Sequence, residues 1–139
     1  MREPFARLRA EGYRITPARR AVLATILAED GDHLSSAAIL QRVQERAPTV
    51  GRASVFRALE LFTRLAFIRP SYLHQNQTPV YVRLDGGHHH HVVCIQCRRV
   101  FEFEECDLEG LTEQLERQFR AEIRGHLLEF YALCEHCHA

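Results

Sequence analysis

The sequence predicts an α+β chain in two parts. Residues 1–84 follow the order of a winged helix-turn-helix, and residues 85–139 form a second, smaller α+β unit. Three observations predict this. Helix-period apolar stripes fill the first part and strand-like runs close it. The net charge of zero over 139 residues conceals a split: residues 1–72 hold 12 Arg against 7 Asp and Glu, a net of +5, and residues 73–139 hold 6 Arg against 11, a net of −5. All five cysteines and seven of the nine histidines lie beyond residue 87. A basic, cysteine-free half therefore precedes an acidic half rich in metal-ligating side chains. Charge alone reads as two solvated surfaces of opposite sign, or as a nucleic-acid-binding half followed by a metal-binding half.

The elements follow in order. Thr16-Pro17 predicts an N-cap followed by proline in the first helical turn. Val22, Leu23, Ile26 and Leu27 recur at helical spacing, and Asp30-Gly31-Asp32 stops the helix. Ser35 or Ser36 caps a second helix with Ile39, Leu40 and Val43 inward, and Ala47-Pro48 breaks it. A third helix spans residues 52–65, with Val55, Leu59 and Phe62 on one face. Residues 66–69 and 80–84 are strand-like, which gives three short helices and then a hairpin. Asp85-Gly86-Gly87 marks the boundary. Beyond it, residues 88–93, 99–103 and 127–133 have strand character, and Leu108, Leu111 and Leu115 mark a helix over 107–120.

The chain is 46% hydrophobic, enough to bury a core. No apolar run approaches the roughly 18–20 residues that span a bilayer. The first ten residues are polar, contain Arg2, Arg7 and Arg9, and lack a signal-peptide core, so a cytoplasmic protein is expected. Cysteines in that compartment point to metal or redox chemistry rather than disulfides.

Cys94-Ile95-Gln96-Cys97 and Cys134-Glu135-His136-Cys137 are two CxxC pairs with 36 residues between them. Two thiolates at i and i+3 grip one side of a tetrahedral ion at about 2.3 Å, and two such knuckles close a structural zinc site. The long spacer requires a strand–helix–strand unit to bring the pairs together. The competing reading, a redox dithiol, expects a CxxC at a helix N-terminus in a βαβ setting, which the pattern here lacks. Cys106 is left over, beside a helix start, and reads as a thiol rather than a ligand.

His88-His89-His90-His91 runs up to the first CxxC. On a strand, alternate side chains point to opposite faces. His88 and His90 then face one way and His89 and His91 the other, so one tract can serve two metal sites. Glu102, Glu109 and His126 are available partners in the same half. His33 is isolated, and by itself reads as an exposed loop residue.

Three motifs together resemble the ferric uptake regulator family: Tyr13-Arg14-Ile15-Thr16-Pro17-Ala18-Arg19-Arg20, Ala53-Ser54-Val55-Phe56-Arg57-Ala58-Leu59, and the run from His88 to Cys97. The resemblance covers essentially the whole chain. It implies a bacterial homodimeric repressor with an N-terminal winged-helix domain and a C-terminal α/β dimerisation domain, in which a regulatory divalent metal fixes the DNA-binding arrangement. By the same resemblance Cys94, Cys97, Cys134 and Cys137 match the structural zinc site. His33, His89, His91 and Glu102 match the regulatory site between the domains, and His88, His90, Glu109 and His126 match an additional site. The third helix becomes the recognition helix in the major groove, with Arg52, Ser54, Phe56 and Arg57 off its apolar stripe, and Arg14 and Arg19 beside the DNA backbone or minor groove.

The chain departs from the family in several places. Val82 stands where many iron-type members carry a glutamate ligand, leaving Asp85 or His74 as replacements. Peroxide-sensing members use aspartates where Arg83 and Glu102 stand, and zinc-sensing members often carry a cysteine upstream of the histidines. Phe56 replaces the usual tyrosine, and Arg98 replaces the glycine after the first CxxC. Three imidazoles and a carboxylate accept Fe(II), Zn(II) or Mn(II). The expected function is a metal-responsive repressor of iron- or zinc-uptake genes, acting on a palindromic double-stranded operator. The alternatives are a redox- or peroxide-responsive regulator of the same fold, working through its CxxC thiols or oxidation of His33 or His89, and a zinc enzyme. The last lacks an HExxH or deaminase signature and leaves the basic half unexplained.

Overall fold

The computed structural model describes residues 4–28, 33–71, 78–84 and 90–138. The helix stop at Asp30-Gly31-Asp32, the boundary at Asp85-Gly86-Gly87, and His74, His88 and His89 lie outside the described residues.

Among the described residues, four helices build the first part: α1 (Pro4–Ala10), α2 (Pro17–Leu27), α3 (Ser36–Arg46) and α4 (Arg52–Arg64). The last three match the helices the sequence predicts, and α1 is an additional one. That helix offers little periodicity, because among its arginines Leu8 alone is fully buried, with Phe5 partly buried against the same core. Arg7 nevertheless caps the core from outside, its guanidinium 4.3 Å from the centre of the Phe67 ring. Gly12, at φ 87°, turns the chain out of α1 in a conformation that costs glycine little. The caps match their sequence signals: Thr16 accepts from the Arg19 amide at 3.2 Å, and Ser35 from the Ala38 amide at 3.1 Å. Val22, Leu23, Ile26, Ile39, Val43, Val55, Leu59 and Phe62 interlock with Leu8, Phe67 and Ile68 into one core.

The wing is a three-stranded antiparallel sheet in the order β1 (Leu34–Ser35), β3 (Val80–Arg83), β2 (Ile68–Ser71). β2 begins two residues later than expected and includes Pro70, which an edge strand tolerates. β1 is only two residues long, too short for a period to show. It pairs Leu34 with Tyr81 and Ser35 with Val80, and the His33 amide donates to the Tyr81 carbonyl at 3.0 Å.

The second part is a sheet ordered β5 (Val100–Phe103), β4 (His90–Cys94), β6 (Glu129–Ala132), with α5 (Glu109–Phe119) between β5 and β6 in sequence. β4 pairs antiparallel with β5 and parallel with β6. The register sorts the side chains into two faces. His91, Val93, Val100, Glu102, Glu129 and Tyr131 share one, and His90, Val92, Phe101, Phe103 and Phe130 the other.

The first face meets the wing. Val82 and Val93 are buried together, with Val80, Val100 and Leu127 packed around them. The Ser71 hydroxyl and the Glu129 carboxylate are hydrogen-bonded, and Arg124 pairs with Glu11. Gly125 lies beside Leu84, where an added Cβ would come within 3.1 Å of that side chain. The second face is open in part: His90 is buried beneath His126, but Phe101 and Phe130 are exposed, and α5 buries none of its residues, leaving Leu111 and Phe119 in solvent. No helix among the described residues is long and apolar enough to cross a membrane.

Candidate metal centres

Among the described residues, three groups of ligating side chains come together, each with donor atoms within 4.8 Å of one another. The first is Cys94, Cys97, Cys134 and Cys137. Cys94 ends β4, and its knuckle closes by the Arg98 amide donating to the Cys94 carbonyl at 3.0 Å. Arg98 holds φ 66°, the left-handed conformation that favours glycine, so the knuckle keeps its turn at some cost in backbone strain. The second knuckle repeats the turn, with the His138 amide donating to the Cys134 carbonyl at 3.0 Å. Parallel pairing of β6 with β4 carries Cys134 to Cys97, their sulfurs 3.7 Å apart. A tetrahedral ion with bonds of about 2.3 Å spaces its sulfurs about 3.8 Å apart, so the donors fit zinc.

The electrostatics agree with that donor set. The backbone amides of Cys97 and Cys134 hold the Cys94 thiol at about 5. Burial pushes the Cys134 thiol up, but hydrogen bonds from Cys137 and the His136 amide bring it below its ordinary value. Cys137, hydrogen-bonded to Cys134 and crowded by its neighbours, is pushed up to about 12. Cys94 and Cys134 are thus disposed to ionise, whereas Cys137 resists it unless a cation shares the charge.

The second group is His33, His91 and Glu102. His91 is completely buried and its amide donates to the Leu128 carbonyl at 3.0 Å. Cross-strand pairing sets Glu102 beside it. His33 arrives from the other half, held at φ 61° at the entry to β1. Its Nε2 lies 2.9 Å from Nε2 of His91, its Nδ1 lies 3.4 Å from Glu102, and His91 Nε2 lies 3.7 Å from the same carboxylate. Two imidazoles and a carboxylate suit Fe(II), Zn(II) or Mn(II). The isolated His33 is thus no mere loop residue. Val82 is fully buried against Val93 and offers no ligand.

The third group is His90, Cys106 and His126. His90 is 1% exposed, accepts from the Leu128 amide at 3.1 Å through Nδ1, and stacks on His126 with ring centres 5.1 Å apart. Cys106 Sγ lies 3.1 Å from Nε2 of His126. Cys106, read from the sequence as a thiol rather than a ligand, thus lies beside two imidazoles. No spacing motif announces it, since its partners lie 16 and 20 residues away on other segments. Glu109 is not within the cluster but lines an adjoining cavity of about 400 Å³ with Cys106 and His126.

In the basic half, the N-termini of α2 and α4 flank a groove of about 460 Å³ lined by Thr16, Arg19, Gly51, Ser54 and Arg57. Gly51 gives α4 no side-chain cap, so its first amides point outward with the positive end of the helix dipole. Arg52 and Arg57 are exposed; Arg52 lies 5.2 Å from the Phe56 ring centre, and Arg57 donates to Ser54 at 3.3 Å. Phe56 is half-buried against the core, so only part of its ring faces solvent. Arg14 is exposed, and its carbonyl accepts from the Arg19 guanidinium at 2.8 Å.

Residues 10–131 match the model of the ferric uptake regulator family. The chain is 35% identical over 132 residues to the ferric uptake regulation protein of Bacillus subtilis (strain 168), covering 94% of this chain and 89% of that one. The ferric uptake regulator of Francisella tularensis, solved with iron, superposes with a TM-score of 0.57 at 27% identity over 100% of this chain and 99% of that one. The Pseudomonas aeruginosa regulator, solved with manganese, gives 0.69 at 24% identity over 94% and 96%, a likeness of fold. With a winged-helix half, a Cys/His-rich half and matches along nearly its whole length, this chain belongs to the ferric uptake regulator family.

Proposed function

We propose that this protein is a metal-responsive repressor that binds a palindromic DNA operator as a homodimer and controls iron- or zinc-uptake genes. The observation that carries the reading is the meeting of His33, from the basic half, with His91 and Glu102, from the acidic half. A divalent cation held there supplies a centre of charge that both halves coordinate. His33 is tied by its own amide to Tyr81 of the wing, so holding its imidazole holds the wing. Fixing the wing against the second sheet lowers the ordering cost of binding DNA, and by linkage DNA strengthens ion binding by the same factor. His89 is expected to complete this ligand set.

The residues take the following roles. Residues 1–84 form the DNA-binding domain and residues 85–139 the metal-binding, dimerising domain. Cys94, Cys97, Cys134 and Cys137 hold a structural zinc that clamps β6 to β4, while His88, His90, Glu109 and His126 supply the additional site. α4 enters the major groove with Arg52, Ser54, Phe56 and Arg57, and Arg14 and Arg19 hold phosphate. The exposed Phe101 and Phe130 face with α5 supports pairing with a second copy, and a two-fold dimer reads a palindrome. The protein acts in the cytoplasm, and no residue is assigned a catalytic role.

The test is a genomic-DNA pull-down with sequencing. Protein stripped of its regulatory ion is reloaded with Zn(II), Mn(II) or, anaerobically, Fe(II). Enrichment of a few palindromic promoter fragments by one ion, absent from the stripped protein, is the expected result and names the ion and the genes. No enrichment with any ion refutes the reading.

A further inference from the structure

Cys106 is the one cysteine outside the four-thiol cluster, and it lies against two imidazoles. We propose that His90, Cys106 and His126 form a mixed imidazole–thiolate cation site that takes a thiophilic, zinc-class ion in preference to Fe(II) or Mn(II). The inference rests on the reading of the acidic half as metal-binding, and it adds Cys106 to the ligands of the additional site.

Three features carry it. The donor atoms already lie within 4.8 Å of one another, so one ion can reach all three without rebuilding the backbone. His90 is almost wholly buried and oriented by the Leu128 amide. A thiolate among the donors changes the selectivity: soft sulfur favours zinc, whereas oxygen-rich sites suit manganese. Binding converts the thiol to a metal thiolate and releases its proton to solvent. The adjoining cavity leaves room for Glu109 or a water as a fourth ligand.

The site also has a structural consequence. Cys106 precedes α5 and His126 follows it, and α5 buries none of its own residues. An ion shared with His90 of β4 ties both ends of that helix to the sheet. The ion thereby orders the open aromatic face, while the His33 site on the opposite face controls the wing.

The test uses the full chain with zinc in its four-cysteine site, titrated with Co(II). A cysteine ligand produces a sulfur-to-cobalt charge-transfer band; the His33, His91 and Glu102 site has no sulfur and produces none. The wild type is expected to show the band at saturation, Cys106→Ser to lose it, and His33→Asn to keep it. Zinc affinity at this site should fall in Cys106→Ser on the order of 10–100-fold or more, the loss typical of even outer-shell ligand partners. Cys106→Asp should retain an ion but shift its preference toward Mn(II). Thermal melts of each variant check the fold, and the aspartate variant keeps the test valid should the serine variant melt early. Absence of the band from the wild type, or its persistence in Cys106→Ser, overturns the proposal and leaves Cys106 as a thiol hydrogen-bonded to His126. DNA binding is not read in this experiment, so failure of the repressor reading remains separately visible.

Discussion

Replacing His33 by asparagine removes the only ligand that the described part of the basic half contributes to the group it shares with His91 and Glu102. The choice of asparagine follows from the backbone. His33 sits at φ 61°, where an alanine would suffer a left-handed penalty of roughly 1–2 kcal/mol, whereas asparagine visits that region readily. The substitution therefore deletes an imidazole without deforming β1. Loss of a ligand should weaken ion binding at least on the order of 10–100-fold, or about 1.4–2.7 kcal/mol. The larger effect is on coupling. His91 and Glu102 lie on neighbouring strands of one sheet, so an ion that they alone hold no longer bridges to the wing. An ion-induced gain in DNA affinity, of about 5–150-fold in coupled systems, should fall toward unity even at ion concentrations that saturate the variant. Fluorescence anisotropy on a captured promoter fragment, with and without ion, measures the factor. Zinc analysis checks that the four-cysteine site is intact. An unchanged coupling factor in His33→Asn would refute the argument that this histidine joins the halves.

Other perturbations separate the remaining parts. Cys134→Ser opens the four-thiol cluster; structural zinc contributes on the order of 10–16 kcal/mol in small zinc domains, against a typical total stability of about 5–15 kcal/mol. The variant should lose its zinc and the tertiary near-ultraviolet dichroism of the second part, leaving the helical core folded. Phe130→Glu puts a charge on the exposed aromatic face and should shift the protein from dimer to monomer in sedimentation without lowering its helix content. Burial raises the Glu11 carboxyl, but hydrogen bonds from Arg124 and Arg7 outweigh it and hold the group below its ordinary value. Stability from such a depressed group is fully present above the unfolded carboxylate range and is lost as pH falls through the folded value. Glu11→Gln should accordingly flatten the acid limb of a thermal-stability profile of the metal-free chain below about pH 4.5; an identical limb in both proteins would remove this contact from the interface between the halves.

How much was legible in the sequence depended on the range of the interaction. The caps at Thr16 and Ser35, the helical stripe of α4 and the break after α3 are set within a few residues, and all appear as read. The division of the histidine tract also has a local cause, because a strand alternates its side chains whatever it packs against. His90 and His91 accordingly lie on opposite faces, although His88 and His89 lie outside the described residues. The arginine-rich α1 left no such trace, since its place depends on Leu8 entering a core assembled from residues far along the chain.

The chemistry divides in the same way. Two CxxC pairs specify thiolate knuckles by spacing alone, and the charge split separates a basic half from a ligand-rich one. Bringing the knuckles together required the parallel pairing of β6 with β4, which no local pattern encodes. Joining His33 to His91 required a two-residue strand too short to carry a period and a buried Val82–Val93 contact between the two sheets. Cys106 became a candidate ligand only when chain folding carried it to His90 and His126. Periodicity and spacing are properties of neighbouring residues, but a metal site is a coincidence of distant ones, and only packing of the two sheets and their connecting segments decides which donors share a point in space.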